Sequence, residues 1–421
     1  MKILTFLTLF TYFLSSDSAY VLQPIEGIDG DVSVVEFDYN GNAYVSSYNG
    51  SNHFLHKLNP SKEKLWTIDT SARVEQILIN TQNDVYLEIF TLLTNISLSI
   101  LREDTLEIEE IYNNWLIEPI FIDEEDNVYF NTHEGVGLLR PNSTLPILIK
   151  NLEEDLNLSE ETTIAIDSKG NVYFPVIGES PEFNRSIALV TKDAKQELEP
   201  YANKFILGED LLVEYVTVDQ EDNVWVFTYE SASSKITKIN NSTMEIISKD
   251  AANEVIDVKA VKDRIYVARS FFYEYTSPMI YFTLDGKVEV IPDLEEIKDQ
   301  VIRSTKIVVD KEGNAYFGSY YSFDKGEIVI VKPNELNNTW IDFSGRVNIY
   351  VMVLDENDDL WVNTYGQGIY YLKKGETTPV YVSHPTGDYE DLINGIKVHK
   401  KTNEVFVLSK NGLFFVSDDL I

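Results

Sequence analysis

Three glutamates, Glu75, Glu118 and Glu214, occupy the same place in a phrase that this chain repeats. Carboxylates gathered from separate segments can supply the several oxygen ligands that a hard cation such as calcium takes, or hold a cationic ligand by charge. Their place is five residues before the position at which an Asp recurs, filled by Asn80 in the unit of Glu75. The full column reads Ser33, Glu75, Glu118, Thr162, Glu214, Val255, Thr305, Tyr350 and Asn394. Eight of these nine are polar on an otherwise apolar background. The column is therefore expected to ring a wet surface, with Thr162, Thr305, Tyr350 and Asn394 joining the glutamates in contact with a ligand. A second set is aromatic. Phe271, Phe272, Tyr273 and Tyr275, and likewise Tyr320 and Tyr321, fall in long segments between expected strands. There they can stack on a flat ligand or a protein partner, or pack down onto their own loop.

Other candidates carry less. His53 and His56 are three apart in an expected strand, which places them on opposite faces and argues against a shared metal. His133, His384 and His399 sit at loop or strand ends and are expected to be solvated. The chain has no H-E-x-x-H, no G-x-S-x-G and no Walker-type loop. The acidic runs Glu124-Glu125-Asp126 and Glu356-Asn357-Asp358-Asp359 lack the frame of a calcium loop and read as turns. Gly366-Gln367-Gly368 reads as a hairpin turn. No catalytic residue is assigned, and a non-enzymatic role is the leading expectation.

The elements that position these residues come from the repeat itself. An apolar run, an Asp, a tight turn ending in Gly-Asn or Asp-Asn, and an aromatic between apolar residues recur along the chain. The aromatics are Tyr44, Tyr86, Tyr129, Tyr173, Trp225, Tyr266, Tyr316, Trp361 and Phe406. A period of about 40–50 residues built from β-type segments marks a β-propeller, each unit being one blade. The count predicts nine blades, with eight as the fallback if one unit is degenerate. The Asp is expected to cap the turn by accepting backbone hydrogen bonds. The sixth unit has Ala260 in its place, and the turn of the ninth, His399 to Glu404, is one residue longer. Because the ninth unit stops after its third strand, the orphan segment Tyr20–Ile25 is expected to supply the missing outer strand and close the ring. The polar column would then surround the mouth of the central channel at the starts of the inner strands.

Residues 1–18 read as a secretory signal peptide: Lys2, an apolar run from Ile3 to Leu14, then small residues through Ala19. Residues 19–421 are expected to form a single secreted, extracellular domain with no membrane span. Sequons at Asn49, Asn95, Asn142, Asn157, Asn184, Asn240, Asn241 and Asn337 permit glycosylation on that route. Cysteine is absent, which removes thiolate catalysis, Cys-ligated zinc and disulfides. Acidic residues outnumber basic ones 69 to 34, a net charge of −35 that repels nucleic acid and anionic membranes and favours solubility. A monomer is the expected state.

The run Tyr350–Tyr370 (YVMVLDENDDLWVNTYGQGIY), echoed by Asn131–Leu138 (NTHEGVGL), resembles the propeller repeat of bacterial two-component sensor ectodomains. The alternation of Asp-x-x-Gly-Asn-x-Tyr-Phe phrases with Gly-Ile-Tyr-Tyr endings also resembles secreted insect propellers of the ommochrome-binding type. That likeness implies a carrier for a small planar or cationic ligand, with a protein partner as the other form of the same reading. A further resemblance, to gluconolactonase-like hydrolases, implies the alternative function: a metal, calcium included, held by the collar of Glu75, Glu118 and Glu214.

Overall fold

The computed structural model describes residues 20–70, 72–91, 95–114, 119–132, 135–151, 157–158, 165–177, 184–197, 201–209, 212–230, 233–240, 243–248, 255–261, 264–269, 279–283, 288–290, 304–323, 326–333, 338–343, 347–365, 367–383 and 393–418. The signal-peptide segment lies outside these. So do Glu118, Thr162, Phe271, Phe272, Tyr273, Tyr275, His133, His384, Asn241 and Asn337.

The chain is a β-propeller. Its first unit shows the plan: strands Asp31–Phe37, Ala43–Tyr48, His53–Leu58 and Lys64–Asp69 pair in chain order as an antiparallel meander. Among the described residues the ladders form nine sheets, of which eight are regular four-stranded blades. The remaining one, fourth in the chain, is an irregular six-stranded sheet, so nine equal blades give way to eight regular ones and one distorted unit. Its expected inner strand is reduced to Ala165–Ile166 among the described residues. A five-residue helix, Lys192–Gln196, follows its third strand, capped by the Thr191 hydroxyl.

First strands of neighbouring sheets adjoin along the chain, and Ile393–His399 of the last adjoins Asp31–Phe37 of the first. The core lies between blades. Tyr86, Leu98 and Ile100 meet Val128, Phe130 and Leu139 across one junction, and Phe406 and Leu408 meet Val35 and Val45 across the closing one. Closure follows the expected route. Tyr20–Pro24 pairs antiparallel with Gly412–Asp418, in register Tyr20 with Asp418 to Pro24 with Phe414. The same strand reaches the eighth blade through Leu22 N–H to the Ser383 carbonyl at 3.0 Å.

The repeated Asp does cap the turn. Asp38 Oδ1 accepts from the backbone N–H of Asn40 and Asn42 at 2.9 and 2.8 Å, and Oδ2 accepts from the Asn42 side chain at 2.7 Å. Asp123, Asp167, Asp219 and Asp310 repeat the arrangement. The aromatic six residues on completes it, as Tyr129 and Tyr173 donate O–H to Asp123 and Asp167, and Trp225 and Trp361 donate Nε1–H to Asp219 and Asp355. In the second unit the pair is exchanged, with Asn80 capping and Asp84 receiving the Asn80 side chain. In the ninth, His399 takes the Asp position and accepts from Thr402 N–H through Nδ1 at 3.2 Å.

Candidate functional site

The polar column has a structural counterpart. In six inner strands the register slips by one, and the residue left out of the pairing is Ser33, Glu75, Glu214, Thr305, Tyr350 or Asn394. These are β-bulges, which take one residue out of the ladder and re-aim it. In the sixth unit, whose turn is shorter, Ile256 is passed over in place of Val255. A bulge also frees the carbonyl before it, and the neighbouring blade meets that need. Val74 O accepts from Ser33 Oγ at 3.4 Å and Ser46 Oγ at 3.2 Å, and Val32 O accepts from Asn394 Nδ2 at 2.9 Å. Asn394 also donates to Asp31 at 2.6 Å. At Ser33 and Asn394 the polar side chain thus serves inter-blade bonding.

Of the glutamate collar, Glu75 faces the Arg73 guanidinium at 3.3 Å. Glu214 lies on the bulge of strand Leu212–Val218, and its side chain, like those of Thr305, Tyr320 and Tyr321, lies outside the described residues. Tyr350 is half exposed. Among the described residues no group of three or more His, Asp or Glu side chains is placed to hold a metal ion. His53 stacks on Tyr48 at 4.5 Å, while His56 is buried between Ser47 and Thr67.

A cleft of about 570 Å³ opens at the other end of the inner strands, where first and last blades meet. Its lining includes Glu36, Tyr39, Ile79, Lys397, His399, Lys400 and Lys401. The Glu36 carboxylate pairs with Lys397 Nζ at 2.5 Å across the closing junction. Asp38, also in the wall, is committed to its turn. His399 is buried, with its ring 4.5 Å from Phe37. Burial holds its imidazole below the usual range, and the nearby Lys401 acts in the same direction. Lys400 and Lys401 are exposed and form no ion pair among the described residues, so the surplus charge of the cleft is positive. That sign is opposite to the one a cationic ligand would need. Tyr39, 58% exposed, offers a ring at the rim.

Among these lining residues the sequence pointed to His399, expected there to be a solvated loop or strand-end residue; packed on Phe37, it is buried instead. Two signals mark the place: His399 standing where Asp recurs, and Lys397, Lys400 and Lys401 crowded together in a chain where acids outnumber bases two to one.

Among solved structures, dipeptidyl peptidase 4 of Porphyromonas gingivalis superposes with a TM-score of 0.56 at 8% identity, over 92% of this chain and 64% of that one. The extracellular domain of a putative one-component system from B. thetaiotaomicron gives 0.37 at 12% identity, over 92% and 64%. That of a putative hybrid two-component system from the same organism gives 0.33 at 15% identity, over 90% and 49%. This chain therefore spans between about half and two thirds of those chains. No family model matches it, and no curated protein does. At such identities the likeness is one of fold.

Proposed function

We propose that this protein is a secreted, non-enzymatic binding protein whose small ligand enters the cleft between its last and first blades. The observation that carries the reading is a preformed opening of about 570 Å³, a size typical of small-molecule sites, at the point where the ring closes. Its ionic groups favour holding over proton transfer. Glu36 is paired with Lys397, Asp38 caps a turn, and burial lowers the basicity of His399 while its Nδ1 caps another. Tyr39 offers a flat surface for an aromatic ligand, in keeping with the planar ligand that the ommochrome-type resemblance implies. Among the described residues no helix is long and apolar enough to cross a membrane. On a secretory route, glycans would attach at exposed turn residues such as Asn49 and Asn142, neither of which lines the cleft.

The test is a fluorescence titration with 1-anilinonaphthalene-8-sulfonate, a planar aromatic probe. One saturable site is expected, weakened about fivefold in Tyr39→Ala, as loss of a stacking contact of about 1 kcal/mol implies. Leu145→Ser, which removes an exposed apolar side chain away from the cleft, should leave the titration unchanged. Equal loss in both variants, or none in Tyr39→Ala, would place the probe elsewhere and remove the reading.

A further inference from the structure

The turns of neighbouring blades are stapled by a second recurring contact. At five junctions the residue after the cap donates its backbone N–H to an Asn or Asp side chain in the turn of the next blade. Tyr39 N–H reaches Asn83 at 2.8 Å, Thr81 reaches Asp126 at 2.8 Å and Ser168 reaches Asp222 at 2.8 Å. Lys311 reaches Asp358 at 3.2 Å and Glu356 reaches Asn403 at 2.6 Å. Every acceptor stands in the left-handed region, with φ between 60° and 66°, a conformation Asn and Asp tolerate best among residues with side chains.

Three units have glycine at this position instead, Gly41, Gly170 and Gly313, and a glycine has no side chain to accept with. At Gly170 the helix Lys192–Gln196 fills the gap. Lys195, buried, binds Asp123 at 2.9 Å, and Lys192 binds Glu125 at 2.6 Å. The junction before Gly313 involves residues 262–263, outside those described. At Gly41 a Cβ would lie 3.5 Å from His399 Cε1, and His399 lines the cleft. There Lys400 follows the His399 cap as the corresponding donor, and among the described residues no side chain takes its N–H. Lys400 and Lys401 line the same cleft, neither in an ion pair among the described residues.

We infer that the ligand of this cleft carries a carboxylate, which takes the place of the Asn or Asp side chain missing at Gly41. This rests on the reading of the cleft as the binding site and specifies what binds there. At two stapled junctions the carboxylate shows how such a group docks. Asp126 accepts from Thr81 N–H and from its hydroxyl at 2.5 Å, and Asp222 does the same with Ser168 at 2.8 and 2.7 Å. An amide could accept the same N–H, as Asn83 does. The two lysines decide in favour of the anion, because bonds from charged donors to a carboxylate are about twice as strong as neutral ones. The ligand is a small molecule bearing an acidic group beside an aromatic or apolar body that meets Tyr39 and Ile79.

The test is calorimetric titration of the full chain with 2-naphthoate and 2-naphthamide, which share a ring system and differ in charge. The naphthoate is expected to bind about tenfold more tightly, the worth of one charge-assisted bond over a neutral one. Gly41→Asp installs the missing acceptor and should abolish that preference. Its new Cβ would meet ordinary contacts, His399 Cε1 and Pro60 Cγ at 3.5 Å, though at φ 86° the backbone is strained for any side chain, so the lysine variant provides the independent check. The double variant Lys400→Gln with Lys401→Gln should reduce the preference without altering the turn. If both probes bind wild type equally and both weaken in Tyr39→Ala, the cleft stands as the site and the carboxylate inference falls. If the preference survives in Gly41→Asp and in the lysine variant, the inference falls likewise. If neither probe responds to Tyr39→Ala, the cleft itself is refuted along with it.

Discussion

His56 sits in strand His53–Leu58 of the first blade, buried to 4% exposure, with one ring nitrogen 2.8 Å from Ser47 Oγ and the other 2.9 Å from Thr67 Oγ1. Both hydroxyls can serve a neutral imidazole, whichever nitrogen carries the proton. Burial first, and then the nearby Lys64, push its pKa down to about 4. His399 shifts in the same direction, chiefly by burial. The sign follows from linkage. The unfolded chain takes up a proton near the ordinary imidazole value while the fold resists it. Stability from this residue is thus full above about pH 6.5 and lost as pH falls toward about 4. Between about pH 7.5 and about pH 5 the loss attributable to His56 is about 2 kcal/mol. Chemical denaturation at the two pH values should show wild type losing that much more than His56→Gln. Equal losses would mean that His56 accepts its proton inside the fold.

Asp219 shows what a turn asks of one side chain. Its two oxygens accept from Glu221 N–H and Asn223 N–H at 2.9 Å, from the Asn223 amide at 2.9 Å, and from Trp225 Nε1 at 2.7 Å. Asp219→Ala strands buried donors in the turn and on a Trp with no solvent exposure, each costing about 1–3 kcal/mol. A loss of about 3 kcal/mol or more is expected, with changed Trp225 emission. Asp219→Asn keeps one acceptor oxygen and should lose less, so equal losses in thermal unfolding would contradict the capping account. This hairpin was legible because every part of it lies within seven residues: the Asp, the turn, and a Tyr or Trp able to donate. Even the exception is consistent, since the His399 cap comes with Phe406, which has no proton to give. The bulge column was legible as a pattern but not as a bulge. Its cause is a carbonyl freed on the next blade, such as Val74 O, about forty residues from the Ser33 hydroxyl that satisfies it. The cleft was least legible. What distinguishes it is a side chain that Gly41 lacks and Asn83 has, and that difference has meaning only once the turns are set side by side in space.

At the scale of the ring, the fourth unit and the closing strand show how far a repeat governs a fold. The fourth phrase, Ile166-Asp167 with Gly170-Asn171, makes its turn as the others do, yet its sheet is irregular. A turn signal fixes one hairpin and leaves the flanking strands to their neighbours. Here Lys150–Asn151 pairs parallel with Tyr201–Glu209, and the helix Lys192–Gln196 packs against the third blade through Lys195 and Asp123. Burial pushes the pKa of Asp123 up, but hydrogen bonds from Asn127 and Lys195 outweigh it and leave the carboxyl below its ordinary range. Ring closure depends on Tyr20–Pro24 in the same non-local way. Leu22 is fully buried among Trp361, Ile369, Val382 and Phe414, side chains of the eighth and ninth units, so one residue joins two blades. Tyr20 adds an edge contact to Trp361 at 5.5 Å. Leu22→Asp puts an unpaired carboxylate in that cluster, at a cost of about 3 kcal/mol or more. The displaced strand would bare the outer edge of Gly412–Asp418, an open template for a second chain. Thermal unfolding should therefore begin lower, and size-exclusion chromatography should show association that wild type lacks. The cleft lies on the closing junction, so the same variant should also weaken probe binding there although Leu22 does not line it. An unchanged melting profile with unchanged binding would mean that the ring holds together without its N-terminal strand.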